Sequence, residues 1–341
     1  MVPKHKLITS IRHNDMTHIN NRIGVMMLAV MLAACSNSDS TDDITDASPQ
    51  NEIRLKADVW HVMPGTRATT YDNNTALQAE SFKCFAYNGG TTTAFINGSD
   101  VSYADSKWAF TDGKKYWPAT GSLDFFAYMP AVKPAYISDV SYTTQQSPTI
   151  TCTSLPMTAA TQGADLKEFV WAITTGQNKT DQGESGVTIN FLHPFARIDF
   201  KLSASHPNII INSITLKGIQ NNGTCTLNGT TSTWTPSGDA TDFVMTLTGD
   251  AASFNNNPNT PQPIGGYAES AHTSIPLLMV PQTWAGEIKV NATWDKWGLP
   301  STQTVSTTIP TTWAAGYSYT YTLTINEADL IVNTTKYTEQ W

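Results

Sequence analysis

"YSYTYTLTIN", residues 317–326, alternates without a slip: Tyr317, Tyr319, Tyr321, Leu323 and Ile325 fall on one side, and Ser and Thr on the other. A period of two belongs to a half-buried β-strand, and β-branched and aromatic residues favour that state. The same reading extends outward. In "IRLKADVWHV" the residues Ile53, Leu55, Ala57 and Val59 share one face, against Arg54, Lys56 and Asp58. "SLDFFAYMP" (122–130) and "VTINFLHPFARIDFKL" (187–202) are equally strand-like. The nearest approach to an amphipathic helix is "TALQAESF" (75–82), and no such segment exceeds two turns. Asn, Gly and Pro punctuate the chain every ten or so residues, as in sandwiches of short strands rather than βαβ units.

The N-terminal region reads as an address. Lys4, Lys6, Arg12 and Arg22 precede the apolar run "IGVMMLAVMLAA". That run is far short of the roughly 20 residues a spanning helix needs. A basic lead, a short apolar core and a small-residue cleavage site describe a secretory signal. "LAAC", ending at Cys35, is similar to the bacterial lipobox, in which the cysteine is lipidated and becomes the new N-terminus. A plain signal peptide with an incidental cysteine is the alternative. "SNSDSTDDITDASPQN" follows, acidic and without a large aromatic, so it reads as a flexible tether.

Charge is sparse, at 14% of residues, with a net of −8 for the whole chain. Without Lys4, Lys6, Arg12, Arg22 and Asp15, 16 basic residues face 27 acidic ones, so the remainder carries near −11. That argues against nucleic acid, which needs clustered Lys and Arg. Cys84, Cys152 and Cys225 are odd in number, so at most one pair could bridge, and single buried thiols fit better. No zinc-protease, serine-hydrolase or phosphate-loop motif occurs, and no cofactor or metal pattern is present. The histidines beyond the leader, His61, His193, His206 and His272, lack ligand spacing. His193 reads as a hydrogen-bonded strand residue. Trp108, Trp117, Trp171, Trp294 and Trp313 sit among apolar or turn residues and read as core, although exposed Trp on a β-sandwich can stack on sugars. "LPSTQ" (299–303) reads as a loop. The polar stretch "TTGQNKTDQGESG" (174–186) sets the expected boundary. The expected order is a signal (1–34), a tether (35–50), a first β-sandwich (51–184) and a second (185–341).

Past the leader only three arginines occur, Arg54, Arg67 and Arg197, and Arg67 stands on a Pro-Gly turn just after the first strand. Taken in order, "LAAC", "TRATT", "FKCFAY", "KWAFTDGKKYWPATGSLDFFAYMP", "INFLHPFARIDFKL" and "YSYTYTLTINEADLIVNTTKYTEQW" resemble the fimbrillin family of Bacteroidetes, in its Mfa-like branch. The resemblance implies two tandem transthyretin-like, Greek-key β-sandwiches and no enzyme activity. It implies a pilin exported as a lipoprotein on Cys35, held at the outer membrane and cell surface, and cut by an arginine-specific protease between Arg67 and Ala68. The first strand, with Ile53, Leu55, Ala57 and Val59, would then be given up. The groove it leaves would take a strand from another pilin subunit, giving a homo- or hetero-polymer that adheres to host or bacterial surface ligands. Leu330 and Val332 in "LIVNTTKYTEQW" mark the expected donor strand, with closure of its own domain as the alternative. The second functional reading is a monomeric cell-surface lipoprotein that binds glycans. An N-terminus at Ala68 favours the pilin, and a lipidated Cys35 the glycan binder.

Overall fold

The computed structural model describes residues 51–59, 71, 73–89, 91, 93–143, 146–159, 161–162, 166–204, 209–247, 262–263, 277–296, 299–325 and 330–340. In chain order the first elements are β1 (Leu55–Val59), α1 (Asn74–Gln78), β2 (Phe82–Asn88), β3 (Ala94–Ala104), β4 (Lys107–Phe110), β5 (Leu123–Met129), β6 (Ile137–Thr143), β7 (Gln146–Cys152) and β8 (Val170–Gln177). Next are α2 (Lys179–Gln182), β9 (Val187–Phe191), β10 (Ala196–Ala204), β11 (Ile209–Ile219), β12 (Asn222–Asn228), β13 (Thr231–Ser237), β14 (Thr241–Thr246) and β15 (Gln262–Pro263). The last are β16 (Leu277–Met279), β17 (Thr283–Trp284), β18 (Glu287–Lys296), β19 (Leu299–Thr308), β20 (Thr311–Thr312), β21 (Tyr317–Ile325) and β22 (Leu330–Gln340). The chain is all-β, as the alternating patterns require, and its described helices are single turns. Asn73 caps α1 by accepting the Ala76 N–H, and Asn178 caps α2 by accepting that of Asp181.

A seven-stranded sheet runs β8-β5-β2-β3-β4-β1-β9, and a four-stranded one runs β13-β12-β7-β6. Two more sheets, β14-β11-β18-β19 and β15-β10-β21-β22 with β16 on β10, enclose a second sandwich core. The apolar run 125–129 of β5 is explained by its two covered faces: Phe125, Ala127 and Met129 enter one core, while Phe126 and Tyr128 enter another on the opposite face. A strand covered on both sides has no polar face to alternate with.

The segment 187–202 is not one strand. It breaks at His193-Pro194 into β9 and β10, since proline cannot donate to a ladder. Its side chains feed three cores: Ile189 and Phe191 the first, Leu192 and Phe195 the next, Ile198, Phe200 and Leu202 the last. Ser318 and Thr320 of β21, expected on an open face, are buried as well, and Ser318 Oγ donates to Asp199 Oδ2 at 3.3 Å. Leu299–Gln303, read as loop, opens β19 instead; Pro300 is tolerated there because β19 is an edge strand.

The expected division at 184/185 does not divide the sheets. β9 lies beyond it yet joins β1, and β12 and β13 join β6 and β7. Alternation tells which residues form strands but not which strands pair.

Candidate functional site

β1 is the element on which the functional argument turns. It is an inner strand, antiparallel to β4 at Leu55↔Trp108 and parallel to β9 from Leu55↔Val187 to Val59↔Phe191. Main-chain hydrogen bonds tie its lead-in: Ile53 N–H donates to Lys115 O at 2.8 Å, Trp117 N–H to Asn51 O at 2.8 Å and Val187 N–H to Arg54 O at 2.8 Å. Gly186, at φ +80, allows the close approach to β9, because a Cβ there would meet Arg54 O at 3.0 Å. The Glu52 carboxylate pairs with Lys114 Nζ at 2.7 Å, and that bond holds the ammonium pKa above its usual value. Hydrogen bonding to Lys115 likewise holds the Asp112 carboxyl below its ordinary range.

The inward face of β1 is as the alternation requires. Ile53, Leu55 and Val59 are 3%, 6% and 6% exposed, Ala57 is half-buried, and all four pack in one cluster with Phe82, Trp108, Val187 and Phe191. Each large side chain so buried contributes roughly 1.5–3 kcal/mol. On the far side of β9 the sheet nearly closes on itself. Trp171 and Leu192 exchange backbone hydrogen bonds at 3.1 and 2.8 Å, and Thr174 Oγ1 donates to Thr188 O at 3.0 Å. Without β1, then, β4 and β9 would face each other across a vacated apolar slot. Val59 and Tyr71 flank the segment that carries Arg67 and Ala68, and both are buried in the same core.

Cys35, Arg67 and Ala68 lie outside the described residues. Leu330 and Val332 are placed on β22, opposite Ile325 and Leu323 of β21 and at the outer edge of their sheet. Lys336, farther along β22, sits 4.2 Å from the Tyr317 ring centroid and 5.6 Å from that of Tyr319. The first strand and the last strand thus belong to different sheets, and the structure does not bring them together. Elsewhere, His193 Nδ1, in the link between β9 and β10, lies 2.8 Å from Oε1 of Glu168, which precedes β8, and both side chains are fully buried. Trp108, Trp117, Trp171, Trp294 and Trp313 are all core. Among the described residues no His, Cys, Asp and Glu cluster could hold a metal, and no helix is long and apolar enough to cross a membrane.

An all-β chain whose first strand is an inner, core-filling element falls in the class of fold seen in fimbrial and adhesion proteins. A fimbrial protein of Bacteroides vulgatus is similar to it with a TM-score of 0.62 and 19% identity, over 85% of this chain and 99% of that one. Proteins described as cell adhesion proteins, from Bacteroides ovatus (TM-score 0.54, 15% identity, 86% and 99% covered) and Bacteroides uniformis (0.54, 16%, 85% and 99%), share the fold. No curated protein matches. The family model described as fimbrillin-like matches residues 66–341, and the chain belongs to that family of structural fimbrial proteins.

Proposed function

We propose that the chain is a pilin made as a lipoprotein precursor on Cys35, cut between Arg67 and Ala68, and polymerised by strand exchange at the cell surface. The observation that carries this is the position of β1: an inner strand burying Ile53, Leu55 and Val59, joined to the rest of the sheet across the segment with Arg67. While covalently attached, β1 returns to its slot faster than any rival can enter. Cut after Arg67, it is a separate peptide whose departure gains translational freedom of the order of 4–15 kcal/mol at standard state. An extended strand from another subunit then replaces it, main-chain bonds giving strength and alternate side chains specificity.

The partners in this reading are an arginine-specific protease, other pilin subunits and, before processing, the outer membrane through the lipid. Arg67→Ala should give full-length, surface-anchored monomer, seen as loss of the SDS-resistant ladder in unheated surface extract. Ladders as strong as those of the wild type would remove Arg67 from the scheme.

A further inference from the structure

Most sheet edges among the described strands are closed to a further strand. The seven-stranded sheet ends at β8 and β9, which Trp171 and Leu192 join by reciprocal bonds. β14 is covered by residues 157–159, with Val244 N–H donating to Met157 O at 3.1 Å and Ala159 N–H to Val244 O at 3.2 Å. β6 carries Asp139 and two register shifts, β13 carries Pro236, and β22 carries Lys336, Glu339 and a shift of its own. Charges, prolines and bulges are what keep an edge from pairing. β15, β16, β17 and β20 span only two or three residues each.

β19 differs from all of these. It ends its sheet, and its register with β18 is unbroken from Glu287↔Thr308 to Lys296↔Leu299. Past Leu299 and Pro300 it reads "STQTVSTT", uncharged and rich in β-branched residues. Ile309 N–H donates to Gly286 O at 2.9 Å, so by alternation the odd-numbered residues of β19 turn their main chain toward β18. Thr302, Thr304, Ser306 and Thr308 therefore turn N–H and C=O outward, and their side chains are exposed. Pro300 falls in the same series and has no N–H to leave unpaired.

We propose that β19 pairs edge to edge with β19 of a second copy, antiparallel about a two-fold axis. The register Thr302↔Thr308 and Thr304↔Ser306 satisfies every outward N–H and C=O of those residues and leaves Pro300 beyond the junction. Val305, 6% exposed, then meets its own copy on the axis in the closer-spaced kind of antiparallel pair. The core of one subunit thereby continues into the next. A two-fold axis sets a strand against its own sequence reversed, so a charge near the axis would face its like. β19 has none, which suits it to a second copy rather than to a charged peptide. Such a contact is smaller than a standard interface, so the dimer forms in proportion to concentration. It involves neither β1 nor Arg67 and does not rest on the polymerisation scheme.

The test is sedentation-based: analytical ultracentrifugation of the purified uncleaved protein, without detergent, from about 1 to 500 μM. A monomer–dimer equilibrium is expected. The double variant Thr304→Glu/Ser306→Glu sets like charges opposite each other across the junction and should weaken the dimer about tenfold or more. Its unfolding temperature should be unchanged, both side chains being exposed. Thr304→Lys/Ser306→Glu sets opposite charges in the same register and should recover the dimer in a salt-dependent way. A monomer throughout the range, an equally strong dimer in the Glu/Glu variant, or no recovery in the Lys/Glu variant would each overturn the proposal. SDS-resistant ladders report strand exchange and not this edge, so a failure here leaves the pilin reading standing.

Discussion

Cys84, Cys152 and Cys225 are free and buried in the structure, as their odd number in the sequence requires of at least one of them. Burial raises the Cys152 and Cys225 thiols from 9.0 to about 12 and lifts Cys84 further, because the interior does not solvate a thiolate. Tyr321 is pushed up to about 12 by the same burial, against a hydrogen bond from Trp313 that works the other way. A folded pKa above the unfolded one means that the stability is fully present below the unfolded pKa. It is then lost as pH rises toward the folded value. The urea midpoint should therefore hold near about pH 8 and fall steeply by about pH 11. An equal midpoint at both would show that these groups are not buried in solution. Sequence showed that no complete disulfide framework could form; which side chains surround each thiol depends on strands far apart in the chain.

β22 carries the second untethered idea about function. Leu330 and Val332 register on β21, so in the isolated subunit the last strand occupies its own sheet edge. An edge strand has one neighbour in its sheet and is the cheaper kind to peel away. Deleting residues 330–341 should abolish SDS-resistant polymers while leaving the β1 sheet folded, since β22 belongs to another sheet. Polymers that survive the deletion would place the donor elsewhere in the chain. Among elements, the ones legible from sequence were those with one covered face, such as β1, or a short apolar run, such as residues 125–129 of β5. The break at Pro194 and the start of β19 at Leu299 were not, because a single proline disrupts or spares a strand according to whether its missing N–H faces a neighbour.

For the whole molecule, the family assignment implies a place in a fimbrium at the cell surface, and the lipid anchor on Cys35 is the part still to be tested. Cys35→Ala should leave the protein without incorporated fatty acid and shift it out of the membrane fraction; normal surface anchoring of that variant would sink the lipoprotein step. By itself the sequence determined the all-β class, the inward faces of β1 and β21, the burial of the tryptophans and the surplus of negative charge. These follow from local alternation and composition, which any residue senses within a few neighbours. Only the tertiary structure decided that β1 is an inner strand between β4 and β9. The register of Leu55 with both Trp108 and Val187 joins segments separated by more than fifty residues, and no local pattern names a strand's partner.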